Sequence, residues 1–238
     1  MDISHRSPPP CQGANTPYMS KLANTYGIAS QYVSLVHESL PNYIALLGGD
    51  TFGCNDACAP LSNTNIIDRL DFARISWKAY MEDYSGGCNG MNLGKYEPDH
   101  NPFVRFQDIL NNTERCNRIV NTGTGDNAIL RDLTSNETAP NYAWLTPNLR
   151  NNMHTACNGQ PELQTGDNYL AGLVPQILNS TVFQTTNSAL FITFDEGNGY
   201  CPLSSKNEDC VYTIWTGPAA KKAYGSSALQ SLFITRNH

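Results

Sequence analysis

Five apolar runs, each closed by polar or turn-forming residues, set the rhythm of the chain. Residues 27–36 (GIASQYVSLV) lead into His37-Glu38-Ser39-Leu40-Pro41-Asn42, and residues 76–81 (SWKAYM) into Glu82-Asp83. Residues 142–146 (YAWLT) precede Pro147-Asn148, residues 189–194 (ALFITF) precede Asp195-Glu196-Gly197, and residues 211–216 (VYTIWT) precede Gly217-Pro218. Each run has the length and β-branched or aromatic content of a strand. Helix-like stretches lie between them, at residues 16–26, 42–47, 65–73, 168–178 and 218–224. Strand and helix alternate, and the strands are apolar nearly throughout. That pattern predicts an α/β fold: a mostly parallel sheet with helices on both faces. In such sheets ligands bind beyond the carboxyl ends of the strands. Those ends carry Ser39, Glu82-Asp83, Asn148 and Asp195-Glu196.

Composition narrows the function. The 238 residues carry a net charge of −6, with only 15% charged residues and 26 asparagines. An acidic chain without a basic stripe argues against a nucleic-acid partner. No run approaches the ~18 apolar residues that span a bilayer, so no integral membrane segment is expected. The eight cysteines, at 11, 54, 58, 88, 116, 157, 201 and 210, are even in number. Cys54/Cys58 and Cys201/Cys210 are close enough to close short loops, and spacing leaves the other pairings open. Three N-x-Ser/Thr sequons begin at Asn111, Asn136 and Asn179. Together these favour an oxidising, extracellular setting over a zinc site, for which the C-x-x-C spacing is absent. Residues 1–12 contain no apolar stretch of a signal peptide, so the N-terminus is expected to be incomplete.

Two segments bear chemistry. Ser39 follows a strand and precedes Pro41, a residue suited to a first helical turn. There it would either cap the helix or, at the positive end, act as a nucleophile whose developing charge the helix favours. Asp195 and Glu196 are adjacent carboxylates after an apolar strand. They either bind a divalent cation, since hard cations take oxygen ligands, or form a solvated turn with Gly197. His100 and His154 both sit in polar loops after candidate sheet elements. Gly-x-Ser-x-Gly, the P-loop, Gly-x-Gly-x-x-Gly and His-Glu-x-x-His are all absent.

Several segments coincide, in order, with one family. They are Val36-His37-Glu38-Ser39-Leu40-Pro41-Asn42-Tyr43, Ser76-Trp77-Lys78-Ala79-Tyr80-Met81-Glu82-Asp83 and His100-Asn101-Pro102-Phe103. Thr146-Pro147-Asn148 through Met153-His154, Gly166-Asp167-Asn168-Tyr169-Leu170 and Ile192-Thr193-Phe194-Asp195-Glu196-Gly197 complete the set. Over roughly residues 16 to 224 the chain resembles the secreted phosphoesterases, which hold fungal and bacterial acid phosphatases and phosphatidylcholine-type phospholipases C, within the alkaline-phosphatase-like superfamily. The pattern is closer to the fungal acid phosphatases.

The resemblance implies a metal-assisted hydrolase of phosphate monoesters acting through a phosphoserine. Ser39 would be the nucleophile, and Asp195, Glu196 and the Ser39 oxygen would ligate a divalent metal. His100 and His154 would hydrogen-bond the phosphate or protonate the leaving alkoxide. Asn42 would steady the loop or the phosphate, and His37 would join in binding substrate. Three departures stand out. The family opens on a strand ending in a metal-binding Glu-Asn pair, which residues 1–13 do not offer. It carries a Ser-His-Tyr-Ser-like segment where this chain has Ser226-Ser227-Ala228-Leu229-Gln230, and often Asp where Asn152 stands. The expectation is therefore one phosphoesterase domain over residues 1–238, incomplete at both ends. A phospholipase C-type phosphodiesterase and a catalytically weak paralogue or fragment are the alternatives.

Overall fold

In the computed structural model the elements run α1 (Pro17–Thr25), β1 (Gly27–Ala29), β2 (Tyr32–Val33), α2 (Ser39–Gly48), α3 (Ile66–Phe72), β3 (Trp77–Met81), α4 (Gln107–Leu110), α5 (Thr113–Asn117), β4 (Ile119–Asn121), α6 (Asn127–Asp132), β5 (Tyr142–Thr146), α7 (Glu162–Leu178), α8 (Thr181–Thr185), β6 (Leu190–Ile192), β7 (Ile214–Thr216), β8 (Tyr224–Ser226) and β9 (Gln230–Ser231). The structure describes residues 16–231 except 56, 89, 92–93, 156–160, 198–208 and 229.

The alternation of strand and helix yields an α/β fold, as the apolar pattern predicts. A parallel sheet in the order β4-β3-β5 lies at the centre of the chain. Its middle strand β3 sends Trp77, Ala79 and Met81 into one cluster, with Leu40, Ile44, Leu47, Ile67 and Phe103. Tyr80 goes into another, with Ile129, Leu133, Leu173 and Ile177. Alternate side chains therefore bury on opposite faces, each covered by helices, which is why all of β3 but Lys78 reads as apolar. A second sheet in the order β6-β7-β1-β8 mixes directions: β7 runs antiparallel to β6 and β1, and β8 parallel to β1. Strands β2 and β9 form a short parallel pair.

Two sequence-level elements differ. The run at 27–36 divides into β1 and β2, because Ser30 and Gln31 turn the chain between them. Residues 218–224 are not helical; they turn into β8, whose place is set by pairing with β1 (Gly27↔Tyr224) and not by local propensity. Helix α7 starts at Glu162, earlier than the pattern suggests, and runs through Gly166. Gly166 has low helix propensity, but here it makes room for Met153, whose Cγ would lie 2.2 Å from an added Cβ.

Two long-range ties join the layers. Asp167 of α7, almost fully buried, accepts the backbone N–H groups of Tyr18 (3.0 Å) and Met19 (2.8 Å). It thus caps the first turn of α1, where no local side chain does so. Arg115 of α5 bonds Asp71 (2.8 Å), Asp68 (2.9 Å) and Asp108, fixing α3 and α4 to α5. Disulfides close Cys54–Cys58 and Cys88–Cys116, and Cys210 is disulfide-bonded as well. The expected Cys201–Cys210 loop involves Cys201, which lies outside the described residues. No helix among the described residues is long and apolar enough to cross a membrane.

Candidate active site

Helix α2 sets the frame of the site. Its N-cap position is Glu38, whose side chain makes no cap bond, and Ser39 is the first helical residue. The capping alternative for Ser39 therefore gives way to another arrangement: its Oγ–H donates to Glu196 Oε1 at 2.9 Å. Pro41 occupies the first turn, where its missing N–H is not needed. Beneath the turn, Asn42 is fully buried. Its Oδ1 accepts from the N–H groups of Leu35 (3.0 Å) and Val36 (3.3 Å), and its Nδ2 donates to the carbonyls of Val36 (2.8 Å) and Glu38 (3.0 Å). All four hydrogen-bonding positions of the amide are used by the loop. Of the two tasks that its place allows, the geometry gives Asn42 the loop and leaves nothing for a ligand.

A cleft of about 340 Å³ opens over the α2 N-terminus, lined by Ser39, His37, His100, His154, Glu196, Glu38, Glu97 and Asp99. His100 is buried and stacks on Tyr43, with centroids 4.9 Å apart. Asn152 Nδ2 donates to His100 Nδ1 at 3.0 Å, which leaves the proton of a neutral ring on Nε2. His154 is exposed and sits edge-on to His100 at 6.1 Å. His37 is exposed, with its Nδ1 2.5 Å from Asp209 Oδ2. That carboxylate raises the His37 pKa, helped by the charge of Glu196. Asp195 does not line the cleft; its charge acts on Tyr43, His100 and Glu196 from behind.

The electrostatics are acidic. Glu38, Glu97 and Glu196 face the cleft, and Asp99 is paired to Arg105 at 2.6 Å. Burial raises the Glu196 carboxyl above its usual range, with Asp195 adding to the effect and the Ser39 bond opposing it. Burial, with the carboxylates of Asp195 and Glu196, also holds the Tyr43 hydroxyl well above its ordinary range. An anionic ester would meet repulsion here unless a cation intervened. Ser39, Asp195 and Glu196 offer hard oxygen donors of the right chemistry for such a cation. No group of three His, Cys, Asp or Glu side chains placed to hold a metal occurs among the described residues.

Tyr43, Asn152 and Asp209 take part in the site without having been assigned a role from the sequence. Tyr43 was visible within the Leu40-Pro41-Asn42-Tyr43 segment, whereas no local pattern marks Asp209 as the partner of His37, 172 residues away.

Gly197 fixes the acidic turn. An added Cβ would stand 2.0 Å from the Cys210 carbonyl oxygen, and backbone cannot yield as a side chain can. Gly197→Ala is therefore expected to push the turn away from Cys210 and break the Ser39–Glu196 bond. Turnover should fall by about 10²-fold, the cost of a displacement near 1 Å. Thermal unfolding and phosphatase assays on the same preparation check this.

The amide at Asn152 sets the state of His100. Burial lowers the His100 pKa from 6.5, despite nearby carboxylates. A histidine kept neutral in the fold contributes stability above pH 6.5, and that stability is lost as pH falls through its lowered value. Asn152→Asp would supply an acceptor for a protonated Nδ1, raising the His100 pKa. Imidazole NMR titration should show the rise, and the stability lost on acidification should shrink with it.

The likeness to known proteins follows the same segments. The profile of the Phosphoesterase family matches residues 11–223. The chain belongs to the Phosphoesterase family. It is 32% identical over 193 residues to a Kluyveromyces lactis protein named "Probable acid phosphatase", covering 76% of this chain and 43% of that one. It is 31% identical to the phosphate-repressible acid phosphatase of Penicillium chrysogenum, over 76% of this chain and 44% of that one. The chain thus spans less than half the length of these curated relatives. Phosphatidylinositol-3-phosphatase of Mycobacterium tuberculosis is 26% identical, over 85% of this chain and 62% of that one. A solved protein of the alkaline phosphatase superfamily from Vibrio parahaemolyticus superposes with a TM-score of 0.60 at 11% identity. It covers 92% of this chain and 58% of that one, a likeness of fold.

Proposed function

We propose that this phosphoesterase hydrolyses phosphate monoesters through a phosphoserine on Ser39, in the manner of an acid phosphatase. The reading rests above all on the Ser39 hydroxyl, placed at the N-terminus of α2, bonded to Glu196 and facing the cleft shared with His100 and His154. The curated relatives are named for cleavage of phosphate esters, which agrees. Ser39, Asp195 and Glu196 would hold a divalent cation, which when bound lowers the pKa of the serine hydroxyl and offsets phosphoryl charge.

Ser39 Oγ passes its proton to the Glu196 carboxylate, to which it is already bonded, as it bonds to phosphorus at the helix end that favours a negative oxygen. The ester P–O bond breaks on the opposite side of phosphorus. His100, buried and neutral, donates its Nε2–H to a phosphoryl oxygen, while Asn152 fixes its tautomer. His154, at the exposed mouth, protonates the departing alkoxide. Water, deprotonated by the now neutral His154, then attacks the phosphoserine, and the Ser39–phosphorus bond breaks as Glu196 returns the proton to Ser39 Oγ. His37, held by Asp209, faces the same mouth as a second cationic contact for phosphate.

The setting we propose is extracellular. The disulfides need an oxidising compartment, and the sequon asparagines Asn111, Asn136 and Asn179 are all exposed, as acceptors of glycans must be.

The test is hydrolysis at pH 5 by the purified chain, with and without added divalent metal. Metal-dependent release of p-nitrophenol from p-nitrophenyl phosphate, with no release of phosphocholine from phosphatidylcholine, is the expected result. The reverse preference would make the chain a phospholipase C, and no turnover by folded protein would make it an inert member of the family.

A further inference from the structure

Glu82 stands at the carboxyl end of the central strand β3, outside the cleft around Ser39, and the chemistry above does not use it. Its surroundings are unusually directed. Its Oε2 accepts the backbone N–H of Asn148 at 2.9 Å, and both carboxylate oxygens accept from Asn151 Nδ2, at 2.8 and 2.9 Å. Asn148 in turn folds the next residues on itself: its Oδ1 accepts the N–H groups of Arg150 (3.0 Å) and Asn151 (3.1 Å), and its carbonyl accepts that of Asn152 (2.9 Å). The turn ends at Asn152, whose side chain bonds His100 through Nδ2 and the His154 N–H through Oδ1 (2.9 Å). Met153, between them, has a φ of 72°. Such a conformation in a non-glycine residue persists only where surrounding contacts impose it.

We propose that Glu82 is a positioning residue: by clamping Asn148 and Asn151 it fixes the loop 147–155, and through Asn152 it sets the imidazoles of His100 and His154. A structural carboxylate at this point could have been met by a cation. Instead it is met by two nitrogens of one loop, the Asn148 N–H and Asn151 Nδ2. Desolvation raises its carboxyl above the usual range, and the Asn148 and Asn151 bonds act against that rise, so the loop is what keeps the charge tolerable. Loop and carboxylate are mutually dependent. The catalytic part of the inference rests on the phosphoesterase reading; the positional part does not.

Glu82→Gln keeps the volume but leaves one acceptor oxygen where two served, and sets its own NH₂ against the donors of the loop. Long-range ¹H–¹⁵N spectra of the imidazoles are the primary readout. The ring signals of His100 and His154 should shift, with the backbone amide of Ser39 unmoved. Combining Glu82→Gln with Asn151→Asp reverses donor and acceptor and should return both rings to their positions. With p-nitrophenyl phosphate, Glu82→Gln should lower kcat by up to about 10²-fold and leave KM within about twofold. The double variant should recover most of the loss. If Glu82→Gln does not fold, Asn151→Ala removes the same clamp and must move the same two rings. Unmoved rings in a folded variant, or a shift that the double variant does not reverse, overturn the inference. Rings that respond in a protein with no Ser39-dependent hydrolysis would uphold the placement and sink the phosphoesterase reading instead.

Discussion

Ser39→Ala should reduce phosphate ester hydrolysis by about 10³-fold or more, the usual scale for removing a nucleophile. The variant should otherwise resemble the parent. Ser39 makes one side-chain hydrogen bond, to Glu196, and caps nothing. Losing one hydrogen bond of this kind costs about 1 kcal/mol, a few degrees at most in melting temperature. Acid-quenched parent protein incubated with substrate should gain the mass of one phosphoryl group on the peptide containing Ser39, and the variant should not. Retained turnover in the variant would remove Ser39 from the chemistry, whatever its geometry.

Asp195→Asn should be nearly as damaging, for a different reason. Glu38, Glu97 and Glu196 line the cleft, and among its described lining residues only histidines offset them. Dialysis against a chelator should abolish turnover, and added Mg²⁺, Mn²⁺ or Zn²⁺ should restore it in the parent. Asp195→Asn removes one of two carboxylates from a set already small in number. It should therefore need at least about tenfold more metal for half-maximal rate, equivalent to losing one charge-assisted contact. Titration of activity against free metal reads this directly. Full activity after exhaustive chelation would free Asp195 and Glu196 from any metal role.

Much of the fold was legible because its central strands carry their own signal. Residues 142–146 were legible to the residue, and β3 to within one, because both are largely apolar runs ended by charge or proline. β4 was missed: Ile119–Asn121 has only two apolar residues in an Asn-rich neighbourhood, and it becomes a strand through pairing with β3. β8 was missed for a similar reason, since Tyr224-Gly225-Ser226 has no strand period and owes its conformation to β1. In the site, the types of residue were legible and their relations were not. Nothing in spacing brings Ser39 to Glu196 across 157 residues; family resemblance alone suggested it. Nor does sequence reveal that the Asn42 amide is used up by its own loop.

The distribution of contacts along the chain carries a consequence for how the molecule comes into being. β3, β4, β5 and the Cys54–Cys58 and Cys88–Cys116 disulfides fall between residues 54 and 146, and α2 precedes them, so one face of the central sheet can be covered before α7 is complete. Residues 16–29 wait longer. β1 waits for β7 and β8, and the first turn of α1 waits for Asp167. On a growing chain these early segments emerge first and find their partners last, the costly order for non-local pairing. Ser39 and Glu196 belong to that late closure. Nascent chains released before β7 would hold a folded centre and a helix bearing Ser39, yet no assembled site, so appearance of activity should lag behind appearance of compact structure during synthesis.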